Sequence, residues 1–191
     1  MNWIEFIQDQ RRWRIMVVAI LSLAIGWTFL SRIPKTALNA GDPPDSPREG
    51  FKAPDFTLEL LGGGEVTLSQ LQGQPVVLNL WASWCLPCRA EMPAIERVYQ
   101  SYKDRGLIIL GVNTTVQDNE DKAAAFVHEF GVTFPIPLDR DGTVSARYAL
   151  GGLPTTFFID RKGIIRSVIL GGPMSEAVIR SKVEDLMDEA P

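Results

Sequence analysis

Residues 75–99 read Pro-Val-Val-Leu-Asn-Leu-Trp-Ala-Ser-Trp-Cys-Leu-Pro-Cys-Arg-Ala-Glu-Met-Pro-Ala-Ile-Glu-Arg-Val-Tyr. Pro75 to Leu80 is an apolar, β-branched run of strand length, and beyond Cys88 the residues Ala90, Met92, Ala94, Ile95, Val98 and Tyr99 recur at helical spacing. A strand therefore feeds a helix, and the two cysteines of the chain, Cys85 and Cys88, stand at the helix start. There the free backbone N–H groups and the positive end of the helix dipole favour a thiolate over a thiol. Cys85, at the tip, gains most: it ionises below the free-cysteine value of about 8.5 and becomes the nucleophile that attacks another disulfide. Cys88, one turn inside, is the resolving thiol. Pro87 falls in the first turn, where its missing N–H is no loss and its fixed φ is already helical.

The segment Trp-Cys-Leu-Pro-Cys-Arg-Ala-Glu-Met-Pro resembles the thioredoxin superfamily, and within it the membrane-anchored, extracytoplasmic TlpA-like branch, over roughly residues 50–190. Pro93 matches the proline that kinks the active-site helix of that family. Glu91 matches an acid the TlpA-like branch keeps near its thiols. Pro154, in Gly-Gly-Leu-Pro-Thr-Thr-Phe-Phe-Ile-Asp, matches the proline that is cis in the family and faces the cysteines. The resemblance also implies that Leu153, Pro154 and Thr155 pair through their backbone with a substrate strand. Trp84 is expected to cap the site with an apolar contact, and Trp81 to pack in the core. One departure is informative: the buried aspartate of cytoplasmic thioredoxin, six residues before the first cysteine, is Asn79 here. Asparagine cannot accept a proton, so the proton handler becomes Glu91, tuned upward by desolvation beside the thiols.

Competing readings are weighed on the same residues. A zinc half-site needs two further ligands, and the chain offers no third cysteine and a single histidine, His128, expected at or near the surface. A structural disulfide would form in any oxidising compartment, although so short a loop stabilises little. Glu91 could be a first-turn acid suited to the helix dipole, and Pro154 an ordinary trans turn proline. A peroxidase of the peroxiredoxin kind is suggested by Ala53-Pro54-Asp55-Phe56, but the Pro-x-x-x-Thr/Ser-x-x-Cys setting of its reactive cysteine is absent. A thiol-based copper chaperone or binding module is the remaining alternative. The dithiol chemistry itself calls for no cofactor and no metal.

The rest of the chain supplies the setting. Arg11, Arg12 and Arg14 precede an uncharged run of 16 residues, Ile15 to Leu30. It is short of the roughly 20 residues of a usual span, but extends to 15–33 with Trp13 and Trp27 at the interfaces and arginines snorkelling at both ends. A cleavable signal peptide fits less well, because a small-residue cleavage site is poorly placed around Ala40. Residues 1–14 form a cytoplasmic tail by the positive-inside rule, 15–33 an uncleaved anchor in the cell membrane, and 34–50, rich in proline and glycine, a flexible linker. Residues 51–191 form a thioredoxin-like domain outside the cytoplasm, where one redox pair and no stray thiol is the safe use of cysteine. Beyond residue 35 the chain holds 14 basic and 21 acidic side chains, so nucleic acid is not an expected partner. The expected partners are disulfide-containing proteins and a transmembrane electron donor.

Within that domain the fold class is α/β: a central sheet flanked by helices, with an N-terminal hairpin around Gly62-Gly63-Gly64. Strands alternating with helices argue for mainly parallel pairing, and an antiparallel pair 155–160 and 164–170 closes a mixed sheet. Phe134 to Leu138 is a further strand, demoted to an edge by Pro135 and Pro137. Helices are expected over 121–130, 143–150 and 175–189.

Overall fold

The computed structural model describes residues 10–30 and 44–188. Helix α1 (Gln10–Leu30) is 21 residues long; Trp13, Ile15, Leu23 and Trp27 are exposed, and Met16 and Val17 are half-buried. Among the described residues no helix is long and apolar enough to cross a membrane. The side chains at 24–26 and 28–30, the end of the expected span at 31–33 and the linker from 34 to 43 lie outside those residues.

The second unit, Asp42–Pro191, is built from β1 (Thr57–Glu59), β2 (Glu65–Thr67), β3 (Val76–Trp81), α2 (Leu86–Tyr102), β4 (Ile108–Asn113), α3 (Glu120–Phe130), α4 (Thr143–Arg147), β5 (Thr155–Ile159), β6 (Ile165–Leu170) and α5 (Glu176–Asp188). The main sheet has the order β4-β3-β5-β6. Only β3 and β4 are parallel; β3–β5 and β5–β6 are antiparallel. The sheet is mixed, as expected, with parallel pairing confined to β3–β4; β5 and β6 are antiparallel because they are joined by a tight turn too short for a crossover. That turn is made by Asp160, whose Oδ1 accepts from the backbone of Lys162 and Ile164, both at 2.8 Å.

Strand β3 is buried along its whole length, so its alternation sorts two cores rather than core from solvent. Val77 and Trp81 face a cluster with Met92, Ile95 and Val98 of α2, Phe126 of α3, and Ile179 and Val183 of α5. Val76, Leu78 and Leu80 face a second cluster with Ala53, Phe56, Val144 and Tyr148. Trp81 is fully buried against Phe126, and its Nε1 donates to the Gly111 carbonyl at 2.9 Å.

The hairpin β1–β2 forms as its glycines suggest. The segment expected as a strand at 134–138 makes isolated bridges instead, to Asn113 and to Leu60. Its prolines turn their carbonyls to β4, where the N–H groups of Gly111 and Asn113 donate to Pro135 and Pro137. Ile136 and Leu138 turn the other way and bond Leu61 and Glu59. With no N–H on the β4 side, the segment links sheet and hairpin without joining either as a strand. Residues from the expected linker's end also pack onto this unit: Asp45 bridges Lys52, the Gly50 N–H donates to the Ile165 carbonyl, and Glu49 accepts from the Val168 N–H on the outer edge of β6.

Candidate active site

Cys85 is the N-cap of α2, with extended backbone, and its Sγ accepts the Cys88 N–H at 3.2 Å. One of the unpaired donors of the helix start is thus aimed at the sulfur expected to carry negative charge. Pro87 lies in the first turn, where its missing N–H is not needed. Cys85 and Cys88 form a disulfide with Cα atoms 5.3 Å apart. Cys85 keeps 3% of its surface and Cys88 none, so an incoming sulfur meets Cys85 first.

Glu91 follows Cys88 by three residues on the same helix face and is completely buried, not a solvated first-turn acid. Its Oε1 accepts from Asn79 Nδ2 at 3.0 Å and its Oε2 from the Met174 N–H at 2.9 Å. Burial pushes the Glu91 carboxyl above its ordinary value; the Met174 and Asn79 donors pull the other way without cancelling it. Asn79 reaches this carboxylate because it shares the α2-facing side of β3 with Val77 and Trp81.

The Leu153–Pro154 peptide is cis, as the resemblance implies. The Pro154 carbonyl already accepts from the Gly171 N–H at 2.8 Å, and Thr155 is paired inside the sheet with Leu80 and Leu170. Among the described residues no hydrogen bond involves the Leu153 backbone, so it is the part of this segment with groups to spare. Trp84 is more than half exposed beside Leu86, and its Nε1 donates to the Gln117 carbonyl. His128 is exposed on α3. Among the described residues no cluster of three or more His, Cys, Asp or Glu could hold a metal ion.

Two parts of the site were not anticipated from the sequence. Asp118 accepts from the Ser83 N–H and hydroxyl, both at 2.6 Å, and from Asn113 Nδ2 at 2.8 Å, tying the turn before Cys85 to the loop after β4. Burial alone would raise this carboxyl; the Ser83 hydroxyl, the Asn113 amide and the backbone donors overcome it and hold it below the ordinary range. Gly171 to Met174 close over Glu91 and Pro154 so tightly that a Cβ on Gly172 would lie 2.6 Å from Glu91 Oε2. Glycine at that contact was a possible signal; the contact itself spans 81 residues and is invisible to local pattern.

Comparison with known proteins agrees with this geometry. The AhpC/TSA family model matches residues 50–168. The chain is 38% identical over 169 residues to the thiol-disulfide oxidoreductase ResA of Geobacillus kaustophilus, covering 87% of this chain and 91% of that protein. It is 34% identical to the thioredoxin-like protein YneN of Bacillus subtilis, covering 84% and 91%. Among solved structures it resembles a putative thiol:disulfide interchange protein DsbE from Chlorobium tepidum, with TM-score 0.67, 31% identity, and coverage of 73% of this chain and 98% of that one.

Proposed function

The chain belongs to the AhpC/TSA family and is a thioredoxin-like thiol-disulfide oxidoreductase, and from that premise we propose that it reduces protein disulfides outside the cytoplasm while tethered to the cell membrane by residues 15–33. The Cys85 thiolate attacks a substrate disulfide, forms a mixed disulfide and expels one substrate thiolate. Cys88 then gives its proton to the Glu91 carboxylate and attacks Cys85 Sγ, which releases the second substrate thiolate and closes the Cys85–Cys88 bond. The substrate gains two electrons and the chain loses two. The proton held by Glu91 and one from water end on the substrate thiols. Leu153 offers its backbone to the substrate strand beside Pro154 and Thr155, and Trp84 covers the bond from the solvent side.

The observation that carries this reading is an N-cap sulfur, Cys85, disulfide-bonded to Cys88, with a buried, hydrogen-bonded carboxyl one turn below Cys88. Reduction, not oxidation, is favoured because Leu86 and Pro87 between the cysteines bring no charge or imidazole to stabilise a thiolate. The uncharged run Ile15 to Leu30 after three arginines in the sequence supports the anchor, with the N-terminus cytoplasmic and the dithiol recharged by a transmembrane electron donor. Apocytochromes c and copper-site proteins are the substrates implied by the TlpA-like resemblance.

Cys88→Ser tests the reading. Incubated with disulfide-bonded substrate, it is expected to accumulate a mixed disulfide through Cys85, seen by mass spectrometry and released by dithiothreitol. Absence of that adduct, with Cu(I) bound by the wild type and no insulin reduction, would establish the chaperone alternative. Positions 78 and 82, where the peroxidase motif has proline and threonine or serine, hold Leu78 and Ala82, so no peroxide consumption is expected.

A further inference from the structure

Sheet register and helix pitch bring three polar side chains together in an apolar interior. Asn79 and Thr156 are direct cross-strand partners, and Glu91 meets Asn79 from α2. All three are buried. The Asn79 carboxamide uses only one end: Nδ2 donates to Glu91 Oε1 at 3.0 Å and to Thr156 Oγ1 at 2.9 Å, while Oδ1 is buried with no hydrogen-bond partner. An orphan acceptor in a dry interior is costly unless another state of the molecule uses it.

The arrangement fits an ionised Glu91, with one donor on each oxygen. When Glu91 takes the proton, Oε2 still faces the backbone N–H of Met174, so the proton belongs on Oε1 and points at Asn79. There a donor would face a donor. Half a turn of the carboxamide about Cβ–Cγ removes the donor–donor conflict at Glu91, because its oxygen and amide ends are almost the same size, and passes the unpartnered position from Oδ1 to Nδ2. Oδ1 then accepts from Glu91 Oε1–H, and the Thr156 hydroxyl, able to donate as well as accept, turns its hydrogen to the same oxygen.

We propose that Asn79 is a positioning residue whose carboxamide reverses as Glu91 gains and loses its proton, giving N–H to the carboxylate and C=O to the acid, with Thr156 following. The proposal rests on the reading of Glu91 as proton acceptor for Cys88. An aspartate at 79 would set two carboxylates against each other and favour only the protonated state. Around Glu91, β3 presents Asn79, β5 presents Thr156, and the 171–174 segment presents the Met174 N–H; among the described residues no charged side chain hydrogen-bonds it. The titratable neighbours on its own helix are Cys85 and Cys88.

The test uses the full chain with its disulfide intact, so that the thiols do not titrate. NMR follows the Glu91 carboxyl carbon and the nuclear Overhauser contact between the Asn79 Nδ2 protons and the Thr156 methyl group against pH. The contact is expected above the Glu91 midpoint and lost below it, at the same midpoint. A contact unchanged through the Glu91 titration overturns the proposal. In parallel, disulfide-exchange rates are compared across pH for wild type, Asn79→Leu and Glu91→Gln. Asn79→Leu is expected to move the Glu91-dependent limb to higher pH and slow exchange roughly tenfold at neutral pH. An unmoved limb in Asn79→Leu, with the limb abolished in Glu91→Gln, overturns the role of Asn79 alone. A profile unchanged by Glu91→Gln overturns the proton role of Glu91 itself.

Discussion

An alanine at position 172 has no room for its methyl group. Its Cβ would stand 2.6 Å from Glu91 Oε2 and 2.8 Å from Pro154 Cγ. Ordinary contact begins near 3.5 Å, so roughly 0.8 Å must be found. Neither neighbour can give way easily. The Glu91 carboxylate is held at both oxygens, and Pro154 is a ring whose carbonyl is bonded to Gly171. The 171–174 segment has to lift, and a comparable displacement takes the Met174 N–H···Oε2 bond from 2.9 Å beyond hydrogen-bonding distance. Losing a bond to a charged acceptor costs about 1.5–3 kcal/mol, and overpacking typically costs about 1–3 kcal/mol. Because lifting relieves part of the clash, roughly 2–4 kcal/mol is the expected loss. For a chain of this size that lowers the melting temperature by about 5–15 °C. Thermal unfolding of the oxidised full chain reads this directly, with Gly152→Ala, whose Cβ meets nothing within 4 Å, as the neutral control. If Gly172→Ala melted within about 1 °C of wild type and exchanged disulfides at full rate, the tight closure over Glu91 would be refuted.

Other expectations follow from the same contacts. The folded chain holds the Glu91 proton more tightly than the unfolded chain, so between the unfolded value of 4.5 and the raised folded value its contribution to stability falls as pH rises. Glu91→Gln removes that slope, and denaturant unfolding should show its advantage over wild type growing with pH across this window; parallel curves would count against the buried carboxyl. Asp118 is the opposite case: its folded value is depressed, so its contribution is present above 3.8 and lost as pH falls through the folded value. Asp118→Ala should cost about 1–2 kcal/mol at neutral pH after allowance for partial exposure, and the gap to wild type should close in acid. The full chain should sediment with membranes and resist carbonate extraction, whereas a chain beginning at residue 44 should not; a soluble full chain would remove the anchor.

Much of the fold was legible because local chemistry and tertiary structure agree. Pro75–Leu80 and the apolar spacing beyond Cys88 give β3 and α2 within a residue or two, since both are core elements whose burial pattern is written in the side chains. Gly131, with φ +61, ends α3 where the glycine predicts a stop. The segment 134–138 failed as a strand for the reason its prolines announced: a residue without N–H can accept from β4 but cannot donate to it. Helix α4 ends at Arg147, earlier than expected, and Ala149 takes a positive φ beyond it. The site was legible where it is local, at Cys85, Cys88 and Glu91. Its remote half, Met174 over Glu91 and Asp118 under Ser83, depends on contacts 83 and 35 residues apart, which no helical or strand period records.

The central claim, a reductant of protein disulfides, stands or falls on the reduction potential of the Cys85–Cys88 pair. The full chain would be equilibrated in glutathione and dithiothreitol buffers of known potential and its thiol content read by alkylation and mass. A value near that of thioredoxin, about −270 mV, is predicted and makes the chain a reductase in need of an electron supply. A value near about −120 mV would make it a disulfide donor and contradict the direction of electron flow assigned here.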